Sequence, residues 1–287
     1  MKLRPDTRCT RLEGMCGVNL IARLLERNID DVNWDCKTSF VEASQFYTGL
    51  VADLYAPLKS ASSDPEPYAR FVAEAGEPAL ELGCGDGEPL IALRKKGLDV
   101  EGLDASLDML ERCRHAAALA GVEVVLHHQQ MQDMDLPRRY RSIFVAGPTF
   151  NLLPDDNTAR QALTRICAHL DQGGSALLPL FIPTPTPVDR LGRAREARSS
   201  DGEVLRVTAV AEQRDEPGRV QTTVLRYERS TPESTDVLER PWVLHWWTQQ
   251  DFCELAASAG FTIAAAFDDD GRPARDDADF FVFRLTE

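Results

Sequence analysis

The stretch Ala79–Gly87, which reads ALELGCGDG, decides the fold, because an apolar run passes directly into closely spaced glycines. Ala79–Leu82 has the character of a short buried strand. Gly83, Gly85 and Gly87 follow it, and glycine both adopts positive φ and lets a ligand approach the backbone. The stretch therefore predicts a strand-to-helix turn with a ligand site at its tip.

Strand-like and helix-like segments alternate on the C-terminal side of this turn. Such alternation implies parallel βαβ units with right-handed crossovers, and hence a doubly wound α/β sheet that is mostly parallel. The predicted strands are Val100–Leu103, Val122–Leu126, Ser142–Ala146 and Ala176–Phe181, and the predicted helices are Glu88–Lys96, Ser106–Ala120 and Asn157–Leu170.

The chain is predicted to consist of four parts, which are this core and three segments around it. Residues 1–60 are expected to form a helical extension or lid, with helices over Asn19–Arg27 and Ser39–Leu58. Residues 61–182 are the predicted core. Residues 183–246 are predicted as an inserted antiparallel β lid, with strands at Val204–Ala211, Val220–Tyr227 and Leu238–Trp246.

Residues 247–287 are expected to complete the core. Thr248 and Asp251 have the spacing of a capping box, which predicts a helix that runs to Ala259 and ends at Gly260. Phe261–Phe267 and Phe280–Leu285 then predict two closing strands.

Composition excludes several classes of protein. The net charge of −14 disfavours nucleic acid as a partner, because a phosphate backbone requires clustered Lys and Arg. The 7 cysteines are scattered without a CxxC pair, so we predict neither disulfides nor a zinc site. The same pattern favours a cytoplasmic location. No signal peptide, membrane span or catalytic metal is expected, and the Arg-rich run Arg190–Arg198 is interpreted as a solvated helical face.

An acidic residue follows the second predicted strand at the distance that a ribose-binding carboxylate requires. Asp104 lies 104 − 83 = 21 residues after Gly83, close to the ~20 residues typical of nucleoside-binding sites. The spacing GxGxG differs from GxGxxG, and Glu88 at the third-glycine position would repel a pyrophosphate. Glu81 and Asp86 add negative charge, which suits S-adenosylmethionine (SAM), with its ammonium and sulfonium groups.

These residues carry a family resemblance. ELGCGDG and the later GLDAS, Gly102–Ser106, resemble motifs I and II of class I SAM-dependent methyltransferases. The resemblance implies a seven-stranded Rossmann-like sheet and SAM as cofactor, with S-adenosylhomocysteine (SAH) as product. The cofactor-binding residues that it implies are Tyr47, Tyr55, Glu81, Gly83, Cys84, Gly85, Gly87, Asp104, Ala105, Gln130, Met131 and Gly147.

The sequence departs from the family at the adenine site and leaves the acceptor site open. Gln130 stands where the family usually has Asp, and Asp133 is a nearby substitute. The segment GPTFNLL, Gly147–Leu153, lacks the NPPY/DPPY pattern of enzymes that methylate base or glutamine amino groups. The candidate substrate contacts are Thr149, Asn151 and Trp246, and the candidate general base is His245.

The sequence thus predicts methyl transfer from SAM to an N or O nucleophile of a small-molecule metabolite, with a homodimer as a compatible assembly. Two alternatives remain. One is a non-catalytic SAM-binding regulatory module, and the other is an NAD-dependent oxidoreductase, which the Glu88 position disfavours.

Overall fold

The glycine turn follows an internal strand of a seven-stranded sheet in the computed structural model, which describes residues 43–59, 64–268 and 271–286. A separate sheet of four strands lies between its fifth and sixth strands along the chain. The strands are β1 (Ala79–Leu82), β2 (Val100–Asp104), β3 (Leu126–His128), β4 (Tyr140–Val145), β5 (Leu170–Phe181), β6 (Ala194–Arg198), β7 (Val204–Asp215), β8 (Val220–Ser230), β9 (Thr235–His245), β10 (Thr262–Phe267) and β11 (Phe280–Thr286).

The helices precede or connect these strands. They are α1 (Ala43–Phe46), α2 (Leu50–Leu58), α3 (Glu66–Ala75), α4 (Leu90–Lys95), α5 (Leu107–Leu119), α6 (Asp156–His169) and α7 (Gln249–Ser258). Short 3₁₀ turns follow β3 and β4, at Met131–Asp133 and Thr149–Leu152. No helix among the described residues is long and apolar enough to cross a membrane.

The central sheet has the strand order β10-β11-β5-β4-β1-β2-β3. Strands β1 to β5 pair in parallel, and β11 inserts antiparallel between β5 and β10. The predicted doubly wound, mostly parallel sheet is therefore confirmed, as is the pair of closing strands. Because β1 lies between the parallel strands β4 and β2, the loops that follow these three strands meet at its carboxyl end.

Apolar layers cover both faces of this sheet. Every residue of β1 is buried, as expected for a central parallel strand. One layer contains Phe71 and Val72 of α3 with Leu90 and Leu93 of α4. The opposite layer contains residues of α6 and α7, namely Ala159, Ala162, Leu163, Ile166, Phe252 and Ala256. Each fully buried Leu or Phe contributes roughly 1.5–3 kcal/mol of transfer free energy.

The second sheet has the order β6-β7-β8-β9 and is antiparallel throughout. The predicted hairpin is present, and its turn is closed by the Gly218 N–H, which donates to Asp215 Oδ1 at 3.1 Å. The prediction of a helical face at Arg190–Arg198 is wrong, because Ala194–Arg198 forms edge strand β6 paired with β7. Charged side chains are typical of such an exposed edge.

Several predicted boundaries also shift, and strand pairing explains two of these shifts. The third strand begins at Leu126 rather than Val122, because only Leu126–His128 pairs with β2. Helix α6 ends at His169, because Leu170 already pairs with Tyr140 of β4. The pairing strands, β2 and β4, cannot be identified from the residues next to these boundaries.

The described part of the N-terminal extension contains two helices instead of one. Gly49, at a φ of 55°, separates α1 from α2. The predicted helix Asn19–Arg27 lies outside the described residues. Helix α2 packs on the second sheet through an apolar cluster of Phe46, Val51, Leu54, Leu58, Leu205, Val207 and Tyr227.

Asn151 joins the two sheets. Its Nδ2 donates to the carbonyl of Phe181, at the end of β5, at 3.0 Å and to that of His245, at the end of β9, at 2.8 Å. Its Oδ1 accepts from the Phe181 N–H at 3.3 Å. The residue is 0% exposed, so these bonds are shielded from water. Asn151 therefore holds the second sheet against the carboxyl edge of the central sheet.

Replacing Asn151 by Ala should lower the free energy of unfolding by about 3 kcal/mol, because buried backbone groups lose their partners. Urea unfolding measures this change. Asn157→Ala is the matched control, since Asn157 makes one exposed contact with Arg160. Equal stability of the two variants would contradict the role assigned to Asn151.

Candidate functional site

The loop after β1 forms the floor of a cleft at the carboxyl edge of the central sheet. Gly83, Gly85 and Gly87 all have positive φ, at 68°, 54° and 96°. Gly83 and Gly85 line the cleft. Gly87 instead allows close packing, because a Cβ there would lie 2.7 Å from Ile91 Cδ1 and 2.8 Å from Cys113 Sγ. The three glycines therefore have two different roles.

Asp104, the last residue of β2, faces this loop. Its Oδ2 accepts from the Gly85 N–H at 2.8 Å, and its Oδ1 accepts from the Ser106 N–H at 2.8 Å. Burial raises the pKa of Asp104, and the backbone N–H bonds oppose that shift. A carboxylate has about four lone-pair positions, so Asp104 retains acceptor capacity for two further donors.

The cleft next to Asp104, which we call the cofactor cleft, has a volume of about 240 Å³. It brings together nine of the predicted residues: Tyr47, Tyr55, Gly83, Gly85, Asp104, Ala105, Gln130, Met131 and Thr149. Sequence reasoning missed eight other lining residues: Leu103, Met109, Gln129, Gln132, Leu152, Leu153, Pro154 and Thr158. Most of these residues lie next to the predicted motifs in the sequence, and this proximity is the one sequence feature that points to them as lining residues.

The end of the cleft beyond Ala105 is formed by amides and an apolar side chain. Gln130 and Met131 line it as predicted, together with Gln132. The Gln132 Nε2 donates to Gln130 Oε1 at 2.6 Å, which orients the Gln130 amide. Asp133 is exposed and does not line the cleft, so the structure does not support it as a substitute acid.

Glu81 and Cys84 lie beneath the loop rather than in the cleft. Glu81 is 0% exposed, and burial, together with nearby groups that include the Asp104 carboxylate, raises its pKa well above the usual range. The Cys113 thiol and burial likewise raise the pKa of Cys84. The interpretation of Glu81 as a negative charge beside the ligand is therefore corrected, because burial disfavours its ionised form.

A second, larger cleft adjoins the first. Its volume is about 600 Å³, and Tyr47 and Tyr55 line both clefts. The loop after β4, including predicted Gly147, forms one side. Helices α1 and α2 and the second sheet form the other sides, through Phe46, Val51, Leu54, Leu58, Arg195, Leu225, Tyr227 and Trp242. We call this space the acceptor cleft.

His245, the candidate base, lines neither of these two clefts. It is 3% exposed, its ring centroid lies 4.4 Å from that of Trp247, and its Nε2 is 3.6 Å from Asp156 Oδ1. Burial lowers its pKa. Trp246 is also buried, and the guanidinium carbon of Arg214 lies 4.1 Å from the centroid of its ring. Packing between the two sheets thus accounts for His245 and Asn151, and the contact with Arg214 of the second sheet accounts for Trp246, so their positions do not support the predicted substrate roles.

The turn that carries Tyr47 is attached on two sides. Ser106 Oγ donates to the Tyr47 carbonyl at 2.6 Å, and the Gly49 N–H donates to Asp108 Oδ2 at 2.6 Å. From the second sheet, the Arg240 guanidinium donates to the carbonyls of Gln45 and Phe46. Tyr47 and Tyr55 form an aromatic wall between the two clefts, and these bonds fix its position. No local sequence pattern specifies these bonds.

Comparison with known families agrees with this geometry. Residues 79–174 match the family model described as a methyltransferase domain. The chain is 28% identical over 146 residues to the dTDP-3-amino-3,6-dideoxy-alpha-D-glucopyranose N,N-dimethyltransferase of Streptomyces fradiae, covering 48% of this chain and 56% of that protein. It is 30% identical to a trans-aconitate 2-methyltransferase of Methylobacterium radiotolerans, covering 60% of this chain and 63% of that protein. The chain spans about half the length of the first curated relatives it matches.

Solved methyltransferases share the fold. The CcbJ methyltransferase of Streptomyces caelestis superposes with a TM-score of 0.66 at 20% identity, covering 82% of this chain and 95% of that chain. A SAM-bound amino pentose methyltransferase of Micromonospora echinaspora gives 0.60 at 23% identity, covering 84% and 98%. The Rossmann-like methyltransferase fold predicted from the sequence is therefore confirmed, and residues 79–174 within it match a methyltransferase domain.

Gly83→Ala should disrupt the cofactor cleft, because the new Cβ would lie 2.7 Å from Thr149 Cγ2. We expect at least tenfold weaker SAH binding, measured by calorimetry, or about 1.4 kcal/mol. Gly97→Ala is the control, since Gly97 also has a positive φ, of 86°, but a Cβ added there would meet no atom within 4 Å. If both variants bind SAH equally well, the steric argument fails.

Glu81→Gln should change the pH dependence of stability. Above the usual carboxyl pKa of 4.5, the native state retains a proton that the unfolded chain has lost, so wild-type stability falls as pH rises. The Gln variant has no titrating carboxyl group at this position, so its stability relative to wild type should increase from pH 5 to pH 8. Chemical unfolding across this range gives the slope, and parallel profiles would contradict a raised pKa.

Proposed function

We propose that this chain transfers a methyl group from SAM to an amine nitrogen of a small-molecule metabolite. The observation that carries the proposal is the pairing of two clefts across one aromatic wall. Asp104 and the glycine loop form one cleft, and the acceptor cleft lies beyond Tyr47 and Tyr55. The methyltransferase-domain match over residues 79–174 supports the reaction class.

The cofactor cleft fits SAM group by group. Asp104 has free acceptor positions for the two ribose hydroxyls. Gly83 and Gly85 leave backbone exposed for the methionyl part, where a side chain would intrude. Ala105 and Met131 offer apolar surface to the adenine, and the Gln130 amide can bind its amino group.

Bound SAM would supply an electrophilic methyl group to the lone pair of the acceptor nitrogen, with SAH as the leaving group and one proton lost from that nitrogen. The protein's part is alignment and exclusion of water. Tyr47 and Tyr55, in the shared wall, contact both clefts and so lie where the two reactants meet.

The lining of the clefts favours an amine over a hydroxyl as nucleophile. A hydroxyl must lose its proton as it attacks, whereas a neutral amine need not. The carboxylates that line the acceptor cleft, Asp86 and Glu88, are paired with Lys59, and none of the described residues that line the two clefts is a histidine or a cysteine. Burial raises the pKa of Tyr47 and of Tyr55, and raises that of Tyr227 to about 12, so these phenols stay protonated at neutral pH.

The names of the relatives support the same choice. One relative is named as an aminosugar N,N-dimethyltransferase and one solved neighbour as an amino pentose methyltransferase. Another relative is named for trans-aconitate, whose carboxylate would need no base. In the acceptor cleft of this chain the acids Asp86 and Glu88 are matched by Lys59 and Arg195, so the cleft has no net positive charge to attract such an anion. A cytoplasmic location and a homodimer stay predictions.

Asp104→Asn should weaken SAH binding by about 10- to 100-fold, since charge-assisted hydrogen bonds contribute about 1.5–3 kcal/mol. Calorimetry gives the affinity, and thermal unfolding shows whether the variant is folded. Asp135→Asn, at an exposed position outside both clefts, is the control. An unchanged SAH affinity in a folded Asp104→Asn variant would remove Asp104 from the site.

Turnover distinguishes an enzyme from a regulatory module. Purified protein with SAM should release SAH in the presence of primary amines, and the matching alcohols should give no release. Binding of SAH without turnover on a broad panel of amine metabolites would favour the non-catalytic alternative. Turnover confined to alcohols would contradict the amine assignment.

A further inference from the structure

The acceptor cleft contains a cation site that a side chain of the protein already occupies. Lys59, which follows the last residue of α2, places its Nζ 3.3 Å from Asp86 Oδ2 and in closer contact with Glu88 Oε2. The same Nζ lies 5.8 Å from the ring centroid of Tyr55. Two carboxylates and an aromatic face are the groups that bind an ammonium ion.

This cation site borders the place where transfer would occur. Lys59, Asp86 and Glu88 line the acceptor cleft, and Tyr55 lines both clefts. After burial, the largest influence on the pKa of the Tyr55 hydroxyl is the charge of Asp86, and Asp104 also raises it. Tyr55 therefore borders both the cleft that contains Asp86 and the cleft that contains Asp104.

The charges around Lys59 allow an exchange of cations. Removing Lys59 alone would leave Asp86 and Glu88 without a counter-charge in a partly buried position, which is costly. An incoming ammonium ion restores the balance. The Lys59 side chain is 23% exposed and its stem is flexible, so its charged end can move into water.

We propose that the ammonium group of the acceptor displaces Lys59 and binds between Asp86, Glu88 and the ring of Tyr55. This inference rests on the proposed function and names how that function selects its substrate. The body of the acceptor then packs against Tyr227 and Trp242 on the second sheet. Before transfer the ammonium gives a proton to the carboxylate of Glu88, which is 34% exposed and can pass the proton on to solvent.

The same site favours release of product. Each methyl group replaces an N–H donor, so a dimethylated amine offers the carboxylates fewer hydrogen bonds than a primary amine does. Lys59 can then return to the carboxylates. A lysine that offsets part of the negative charge between turnovers explains why two acids can line this cleft without an acceptor.

The test measures binding to the full chain saturated with SAH, at pH 7. The probes are three amines, each paired with an alcohol of similar shape: benzylamine and benzyl alcohol, tyramine and tyrosol, D-glucosamine and D-glucose. Saturation-transfer NMR detects binding, and calorimetry gives affinity. We expect at least one amine to bind about tenfold tighter than its alcohol and its N,N-dimethyl form to bind more weakly. No preference for the amine in any pair overturns the proposal.

Variants separate displacement from simple attraction. Lys59→Met should increase amine affinity about three- to tenfold, because the competing cation is gone. Glu88→Gln should reduce it about tenfold, and combining the two changes should cancel most of the gain. Lys96→Met is the control, because Lys96 pairs with Glu66 on the surface, outside both clefts. Alcohol affinities should not change.

Each outcome has a defined meaning. Weaker amine binding by Lys59→Met, or by Lys59→Gln if the first variant does not fold, would show that Lys59 does not compete with the acceptor and would overturn the proposal. Unchanged amine affinity in Glu88→Gln would do the same. SAH binding is measured for every variant, and failure of wild-type protein to bind SAH would refute the proposed function instead.

Discussion

The carboxylate of Asp104 is the constraint on which the site depends. It ends β2 and accepts hydrogen bonds from Gly85 in the loop after β1 and from Ser106 at the start of α5. These bonds hold the glycine loop open against the neighbouring strand and fix the start of the helix that follows. Because β1 and β2 are parallel and adjacent, both attachments lie at one edge of the sheet. A ligand therefore meets a preformed surface rather than a mobile loop.

The second sheet takes part in the site through three attachments. Asn151 binds the ends of β5 and β9, α2 packs on β6, β7 and β8, and Arg240 of β9 holds the turn that carries Tyr47. The aromatic wall thus depends on both sheets. The acceptor cleft exists only because the insertion is held at this distance from the central sheet, so its lining combines residues far apart in the sequence.

Charge divides the site between two ligands. Asp104 serves the cofactor cleft, while Asp86 and Glu88 face the acceptor cleft and are both paired with Lys59. Glu81 lies beneath the loop, where burial favours its neutral form. The net charge of −14 says little about this arrangement. What matters is which carboxylates are exposed to a ligand and which are already paired.

The sequence by itself determined the local features: the strand and glycines of ALELGCGDG, the placement of Asp104, the alternation that gives a parallel sheet, and the capping box at Thr248. These depend on neighbours within a few residues or on fixed spacing. Only the tertiary structure decided that Ala194–Arg198 is an edge strand, that His245 and Asn151 pack between sheets, and that Lys59, Asp86 and Glu88 meet in a cleft. Strand pairing, burial and ion pairing depend on residues distant in the chain, and a single sequence does not say which of them meet.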